Sequence, residues 1–312
     1  LTRSSRRNGL PPGRLAADRS ADAFLHALYL ARTGEVGHTQ KPGRWASAAG
    51  AASGMRSGIS QHPDPVGSHY FTILHRMILF QRETTDFGFG SVNGNAVLDG
   101  SAGGRDFPWS EVGECVPGPF AEGIPLVARD EIPRPHADKV RVGRGGVIGG
   151  FPITIRVGRK ADNAIPTVEG GLVLVTKASG RALQEIHASL RLLADAWCTA
   201  KRQALRDDAP ADAAAAADAA RTKFLDRVRA MRGEEMPVRI SWPGNPCAVV
   251  GSDRGNAQAI ALLAESPLEP ESNYLWWALW TDRVARTTDS PGGRALRMVE
   301  VFTTGPAGPG SR

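Results

Sequence analysis

Cysteine is scarce, with three residues in a chain of 312. So few cysteines exclude a small fold that depends on several disulfide bonds. Long hydrophobic runs are also missing, since the longest apolar segment, residues 274–280, is far shorter than the roughly 20 residues of a membrane-spanning helix. The sequence therefore predicts no membrane span.

The common signatures of nucleotide binding and of hydrolase nucleophiles are absent as well. No Gly-x-x-x-x-Gly-Lys-Ser/Thr and no Gly-x-Ser-x-Gly occurs, which excludes an ordinary Walker A loop and a nucleophile elbow. The glycine-rich residues 143–150 are followed by a β-rich run, which favours a hairpin turn over a dinucleotide-binding loop. The three cysteines are isolated in sequence, so a Cys/His pair would have to be assembled by the fold. No cofactor is predicted.

Positive charge is present mainly at one end of the chain. Residues 1–60 contain nine basic and three acidic side chains, whereas the other 252 residues contain 29 of each sign. Arginine outnumbers lysine 32 to 6 throughout, so the position of the excess, and not the arginine content, indicates a negatively charged partner. The residues that we expect to contact nucleic acid are Arg3, Arg6, Arg7, Arg14 and Arg19.

Three interpretations of this basic segment are open at the level of the sequence. An Arg- and Ser-rich, acid-poor start is typical of an arm that neutralises phosphates, of an organellar transit peptide, and of a solvated tail. We favour the arm. We predict that the arm and a Gly/Pro-rich linker occupy residues 1–65, with one amphipathic helix at 21–32, and that residues 66–312 form a single domain.

The middle of the chain is rich in β-type residues. The composition of residues 70–81 favours a buried strand, with a short helix as the alternative, and four short β-rich runs follow between residues 125 and 176. Residues 86–125 are glycine-rich, and they either contain short strands or form an extension that wraps a neighbour. Residues 179–206 and 211–232 have helical spacing and predict an antiparallel helical hairpin.

The C-terminal third predicts further strands and two helices. Strands are expected near residues 237–242 and 247–250, and again at 295–303. A first helix is predicted over residues 252–265, and a second begins at Ser266, where the spacing fits a capping box, and continues through 274–280. Strands, then helices, then strands indicate an α+β fold or a mixed-sheet α/β fold.

One group of residues has the composition of a metal site. His62 and Asp64, with His69 or the more distant His136, are the ligand types that zinc or non-haem iron uses. Pro63 and Pro65 place the aspartate in a loop, and the alternative is a set of loop polar residues beside one buried histidine. The sequence therefore predicts no metal, and these four residues are kept as candidates.

Three tryptophans occur close together in residues 274–280. If this segment is helical, Trp276 and Trp280 share one face, and a helix with so broad an apolar surface either packs in the core or docks against a partner. Aromatic residues are enriched among the anchors of protein interfaces. As candidate docking residues we select Trp276 and Trp280.

These observations favour a non-catalytic structural subunit of a larger assembly. The assembly would be a viral or phage-type coat or an organellar ribonucleoprotein, in which the N-terminal arm contacts RNA, DNA or neighbouring subunits in a homo- or hetero-oligomer. The alternative is a metal-dependent enzyme that uses the His/Asp group. Intracellular, organellar and virion locations are all compatible with the sequence.

Overall fold

The computed structural model describes residues 13–61, 69–72, 75–79, 86–100, 115–130, 142–143, 146–156, 167–175, 180–231, 233–242, 259–282 and 294–307. Helices and largely antiparallel sheets both occur, so the predicted α+β fold is confirmed. Contacts divide the chain into two units, Leu1–Asp106 and Phe107–Arg312. This division does not coincide with the boundary predicted at residue 65.

The first unit combines a four-stranded sheet with helices. The elements are β1 (Arg14–Leu15), α1 (Ala17–Thr33), α2 (Ala48–Arg56), β2 (Ser57–Ser60), α3 (Arg76–Leu79), β3 (Asp86–Val92) and β4 (Asn95–Asp99). In the sheet, β1 is parallel to β3, and β3 and β2 are each antiparallel to β4, which gives the order β1-β3-β4-β2. Residues 48–60 form a helix and a strand, so the prediction of an irregular linker over that stretch is wrong.

The glycine-rich region that begins at residue 86 contains a β-hairpin. Strands β3 and β4 are joined by Asn93 and Gly94, whose φ angles are 47° and 79°. Two successive positive φ values define the tight hairpin turn that matches the twist of the strands, and an Asn-Gly pair is the preferred sequence for it. Of the two alternatives for this region, hidden strands are therefore correct for residues 86–99.

Helix α1 lies directly on strand β3 at two glycines. A Cβ atom added to Gly88 would lie 2.3 Å from the carbonyl oxygen of Arg19, and one added to Gly90 would lie 2.2 Å from the amide nitrogen of Phe24. Glycines two residues apart project to the same face of a strand, so together they form a flat surface for the helix. The hydroxyl of Ser20 also accepts a hydrogen bond from the Phe89 amide at 3.2 Å.

The strand that the sequence favours over residues 70–81 is wrong for the part that the structure describes, where the alternative of a short helix is found. Residues 76–79 form the short helix α3, and the Arg76 guanidinium, fully buried, donates to the carbonyl oxygen of Tyr70 at 2.7 Å. A short apolar run is compatible with a buried strand and with a buried helical turn, and periodicity does not separate the two.

The second unit contains a five-stranded sheet, a four-stranded sheet and a two-stranded ribbon. The elements are β5 (Cys115–Val116), β6 (Ala121–Ile124), β7 (Val127–Arg129), β8 (Val147–Gly150), β9 (Ile153–Arg156), β10 (Thr167–Val175), α4 (Gly180–Ala204), α5 (Ala213–Arg229), β11 (Glu234–Met236), β12 (Val238–Ser241), β13 (Ala259–Ala264), β14 (Asn273–Asp282) and β15 (Arg294–Thr304). The strand orders of the three sheets are β11-β10-β14-β15-β6, β12-β13-β9-β5 and β7-β8.

The predicted helical hairpin is confirmed as α4 and α5. Its apolar face packs on one face of the five-stranded sheet, where Leu190 and Phe224 of the helices meet Trp277 and Val299 of the strands. The Phe224 and Trp277 rings contact edge to face at 5.3 Å between centroids. All four side chains are at most 8% exposed, so this layer is a continuous core.

Two segments that were predicted as helices are strands. Residues 273–282 form β14, which lies between β10 and β15, and residues 259–264 of the segment predicted at 252–265 form β13. Both faces of β14 are buried: Leu275 and Trp277 point toward the helical hairpin, and Trp276 and Trp280 are on the opposite face. A strand buried on both faces is apolar at every position, which removes the alternation that identifies a half-buried strand.

The four-stranded sheet covers the other face of the five-stranded one. A Cβ atom added to Gly170 of β10 would meet Leu262 of β13 at 3.0 Å and Ile240 of β12 at 3.3 Å. The second unit is therefore layered, with the helical hairpin, the five-stranded sheet and the four-stranded sheet in that order. This layering explains why β14, in the middle layer, has no exposed face.

The contact between α1 and β3 can be tested with one glycine substitution. We expect Gly90→Ala to lower the free energy of unfolding by about 2–3 kcal/mol, because the new methyl group cannot be placed without displacing the α1 backbone. Urea unfolding followed by circular dichroism measures the change.

A matched control is available at Gly43, where no atom lies within 4 Å of an added Cβ. The Gly43→Ala variant should stay within about 0.5 kcal/mol of the original chain. If the two alanine variants unfold at the same urea concentration, the close approach of α1 to β3 is incorrect.

Candidate functional site

Two of the five arginines predicted to contact nucleic acid are described, and both face carboxylates of their own chain. Arg14 makes an ion pair with Asp86, in which its Nη2 lies 3.3 Å from Oδ2. Each partner stabilises the charged form of the other, which lowers the pKa of Asp86 and raises that of Arg14. Arg19 Nη1 lies 3.8 Å from Asp99 Oδ1. Arg3, Arg6 and Arg7 lie outside the described residues.

Asp99 is the buried centre of the polar contacts in the first unit. Its carboxylate is fully buried at the end of β4 and accepts hydrogen bonds from the Ser53 hydroxyl at 3.0 Å and from Arg56 Nη2 at 2.7 Å. The hydrogen bond from Arg56 raises the pKa of that guanidinium. Because Ser53 and Arg56 belong to α2 and Arg19 to α1, this one carboxylate connects both helices to the sheet.

The contribution of Asp99 to stability follows from its burial. We expect Asp99→Asn to lower the free energy of unfolding by about 2 kcal/mol, because the fully buried side chain loses its charge-assisted hydrogen bond from Arg56, which keeps only Asp22 at 3.7 Å. The control is Asp86→Asn, whose partner Arg14 is 79% exposed, so solvent already screens that pair and no resolvable change is expected. Equal losses in the two variants would contradict the central role of Asp99.

Two other arginines of the first unit have no carboxylate partner among the described residues. The guanidinium carbons of Arg32 and Arg44 lie 5.0 Å and 5.1 Å from the ring centroid of Trp45. The indole is 36% exposed, and both arginine side chains are exposed as well. We call Arg32, Arg44 and Trp45 the basic–aromatic surface. Both guanidinium groups lie over the ring as cation–π contacts, so the surface presents two cations and the part of the indole that they leave exposed.

A buried histidine holds the loop that carries this surface. The loop, residues 34–47, follows α1, and His26 of α1 is fully buried beneath it. Its Nε2 donates to the Gly37 carbonyl oxygen at 3.0 Å, and its Nδ1 accepts from Nε2 of the Gln40 side chain at 3.0 Å. The other side-chain atom of Gln40, Oε1, accepts from the Ser47 backbone amide at 2.8 Å, so the loop is fixed at three points.

Tyr29 provides a second set of contacts to the same loop. Its hydroxyl donates to Glu35 Oε2 at 2.5 Å and accepts a hydrogen bond from the Lys41 amide at 2.9 Å. The Lys41 ammonium lies 2.6 Å from the other Glu35 oxygen. Hydrogen bonds from Lys41 and Tyr29 lower the pKa of Glu35, so Glu35 stays charged and neutralises Lys41. The free positive charge of the loop is therefore that of Arg44, next to Arg32 at the end of α1.

The hydrogen bonds of His26 predict a dependence of stability on pH. Burial disfavours the imidazolium and lowers the pKa of His26 below its ordinary value, and the neighbouring His38 adds to the effect. As the pH falls through about 6.5, the unfolded chain binds a proton that the folded chain resists, so stability falls by at most about 1.4 kcal/mol per pH unit. Above that pH both states are neutral at this residue and it contributes no slope.

Unfolding in urea at a series of pH values between about 7.5 and about 5.5 checks this expectation. His26→Gln should remove the part of the loss of stability on acidification that comes from this residue, whereas His38→Gln should remove only a smaller part, because burial is the larger cause of the lowered His26 pKa. The same pH dependence in all three proteins would show that His26 is protonated as easily in the folded chain as in the unfolded one.

Of the four candidate metal ligands, the structure describes only His69. His69 is buried, and its ring stacks on His75 with the centroids 5.0 Å apart, whereas His62, Asp64 and His136 lie outside the described residues. Within the described residues, no group of three or more His, Cys, Asp or Glu side chains is arranged to hold a metal ion. These four residues therefore stay candidates, and no metal is predicted.

Trp276 and Trp280 do not form a docking surface in this conformation. They were selected as residues of one helix face, but they lie on strand β14, and they are 0% and 2% exposed inside their own unit. Neither indole N–H has a hydrogen-bond partner within the part of the chain that is described. Of the two interpretations of this cluster, core packing agrees with the observed burial.

The two cysteines that are described are both buried, and neither forms a disulfide bond. Cys198 lies in α4, where burial raises the pKa of its thiol to about 12. A thiol with so high a pKa is almost wholly protonated near neutral pH, and the thiolate is the nucleophilic form. Cys198 is thus a packing residue, and Cys247 is not among the described residues.

Reasoning from the sequence missed the basic–aromatic surface. Arg32 and Arg44 were counted in the N-terminal excess of charge, but residues 37–65 were interpreted as linker, so Trp45 received no role. The usable signal is the order Lys-Pro-Gly-Arg-Trp at residues 41–45, where a tryptophan follows basic and turn-forming residues. A large aromatic side chain in such a segment has little chance of burial by its own neighbours, which indicates a surface role.

Comparison with known proteins adds no assignment. No family model, no curated protein and no solved structure matches this chain. In the described part of the chain, none of the helices combines the length and the apolar character needed to cross a membrane.

Proposed function

We propose that this protein is a non-catalytic subunit of a nucleic-acid-containing assembly and that its first unit contacts single-stranded nucleic acid. The observation that carries the proposal is the basic–aromatic surface, in which two arginines with no carboxylate partner in the described part of the chain lie over an exposed tryptophan. A viral or phage-type coat and an organellar ribonucleoprotein are the assemblies that require such a contact. Other subunits of the assembly are the expected protein partners.

The chemistry of the surface suits a sugar–phosphate chain with unpaired bases. Guanidinium groups bind phosphate through several N–H donors, and aromatic side chains stack on bases with little dependence on sequence. Arg32 and Arg44 would contact phosphates while Trp45 stacks on a base. The arginines of residues 1–12 would add phosphate contacts, which is the role that the sequence predicts for Arg3, Arg6 and Arg7.

The loop that carries Trp45 supports this role because it is held in place before any ligand binds. Its contacts with His26 and Tyr29 fix residues 37–41, so less conformational entropy is lost on binding than for a free tail. Arg14 and Arg19 support it less directly. They face Asp86 and Asp99, so we propose that they act mainly inside the fold and that Arg32 and Arg44 are the main phosphate contacts.

Fluorescence anisotropy of a labelled single-stranded RNA, titrated with the full chain at several salt concentrations, tests the proposal. The double variant Arg32→Gln/Arg44→Gln should reduce the slope of log affinity against log salt by about 1.4, because two phosphate contacts are lost. Trp45→Ala should weaken binding by about 1–3 kcal/mol and leave the slope unchanged, because stacking releases no counterions.

Arg191→Gln and Leu192→Ala serve as matched controls, since both residues are exposed on α4 in the second unit. Neither control should change the affinity or the salt slope. Salt-independent binding by the original chain, or equal binding by the variants and the controls, would refute nucleic-acid contact at this surface.

A further inference from the structure

The segment that carries Arg44 and Trp45 is closed at its two ends by one side chain, that of Gln40. Its Oε1 accepts a hydrogen bond from the Ser47 backbone amide at 2.8 Å. Arg44 and Trp45 lie between these two residues in the chain. The Gln40–Ser47 contact therefore limits the conformations that are open to both side chains of the surface.

The orientation of the Gln40 amide is determined from both sides. The Ser47 N–H is a donor, so the Gln40 atom beside it must be the oxygen, and the amide nitrogen is left to face His26 Nδ1 at 3.0 Å. That nitrogen only donates, so Nδ1 must accept. The Gly37 carbonyl oxygen in turn requires His26 Nε2 to donate. All of these contacts are satisfied together by the neutral imidazole with its proton on Nε2.

Protonation of His26 is incompatible with this arrangement. The imidazolium carries a proton on each ring nitrogen, so Nδ1 becomes a donor that faces the donor nitrogen of Gln40. If the Gln40 amide turns over, its oxygen accepts from Nδ1, but its nitrogen then faces the Ser47 N–H. A charge-assisted hydrogen bond is stronger than a neutral one, so the contact with Ser47 is the one that is lost.

Helix α2 encloses the two groups that exchange this hydrogen bond. A Cβ atom added to Gly50 would lie 2.7 Å from Gln40 Nε2, and one added to Gly54 would lie 2.5 Å from His26 Cε1. The amide and the ring therefore lie directly against the helix backbone. Gln40 has little room to move away from His26 and avoid the conflict.

Three elements face His26, namely α1, α2 and the loop of residues 34–47. Glu35 of the loop is paired with Lys41 at 2.6 Å. Burial has the largest effect on the pKa of His26 and lowers it, the charge of His38 lowers it further, and the hydrogen bond to Gly37 raises it. The titratable and charged side chains of these elements around His26 are His38, Glu35, Lys41 and Arg44 in the loop, Asp22 and Tyr29 on α1, and Arg56 on α2.

We propose that protonation of His26 opens the Gln40–Ser47 contact and thereby weakens nucleic-acid binding by the basic–aromatic surface. This inference rests on the proposed function of that surface. With the contact open, Arg44 and Trp45 have more conformational freedom to lose on binding. The direction is opposite to that of ordinary electrostatics, because a new positive charge near a phosphate site strengthens binding.

Fluorescence anisotropy of the full chain with a labelled oligouridylate, whose bases do not titrate in this range, measures the effect between about pH 7.5 and about pH 5. We expect binding about fivefold weaker at the lower pH, the factor that corresponds to one lost hydrogen bond. The affinity should fall by at most about tenfold per pH unit, because one proton is involved.

Gln40→Glu reverses the polarity of the contact. A carboxylate accepts from both the Ser47 N–H and the Nδ1–H of the imidazolium, so acid should no longer weaken binding by this variant. Thr39→Glu is the matched control, because it adds the same charge at the adjacent, exposed residue and leaves Gln40 in place. It should keep the loss of affinity in acid.

Hydrogen exchange of the Ser47 amide, followed by mass spectrometry, reports on the contact without nucleic acid. After correction for the intrinsic effect of pH, exchange should be about fivefold faster at about pH 5 than at about pH 7.5. Gln40→Glu should show no such acceleration.

An affinity for oligouridylate that is unchanged or higher in acid would overturn the inference and leave the proposed function standing. An equal loss in Gln40→Glu and Thr39→Glu would also overturn it. If the chain does not bind at either pH, the proposed function fails, and Ser47 exchange that acid does not accelerate then overturns the opening of the contact as well. Exchange in the original chain needs no variant, so a variant that fails to fold leaves the inference testable.

Discussion

The first unit depends on the approach of one helix to one strand at van der Waals distance. Gly88 and Gly90 leave no side chain between α1 and β3, so the helix backbone rests on the strand. The position of α1 then determines where His26 and Tyr29 lie, and these two side chains hold residues 37–41 of the following loop. The exposed ring of Trp45 is thus placed by two glycines that are more than 40 residues away in sequence.

In the second unit, the other elements are arranged around strand β14. This strand pairs with β10 and β15, and it is covered by the helical hairpin on one face and by the four-stranded sheet on the other. Every side chain from Tyr274 to Trp280 is therefore buried.

The helical hairpin and the mixed α+β composition could be predicted because their signals are local. Leu183, Leu190 and Trp197 repeat at helical spacing, and a surface helix requires only that its own face be apolar. Strand β14 could not be predicted in the same way, since its two apolar faces depend on layers that come from distant parts of the chain. The sequence could not assign a surface role to Trp45 either, because the exposure of its ring depends on how α1 and the loop of residues 34–47 fold together.

Burial of the Cys198 thiol has a consequence for how the second unit opens. A thiol with a pKa of about 12 inside α4 reacts with an alkylating reagent only after the helical hairpin separates from the sheet. The rate at which the peptide that contains Cys198 is alkylated therefore reports how often the helical hairpin separates from the sheet. The chain carries its own reporter of local opening, at a position where no label has to be introduced.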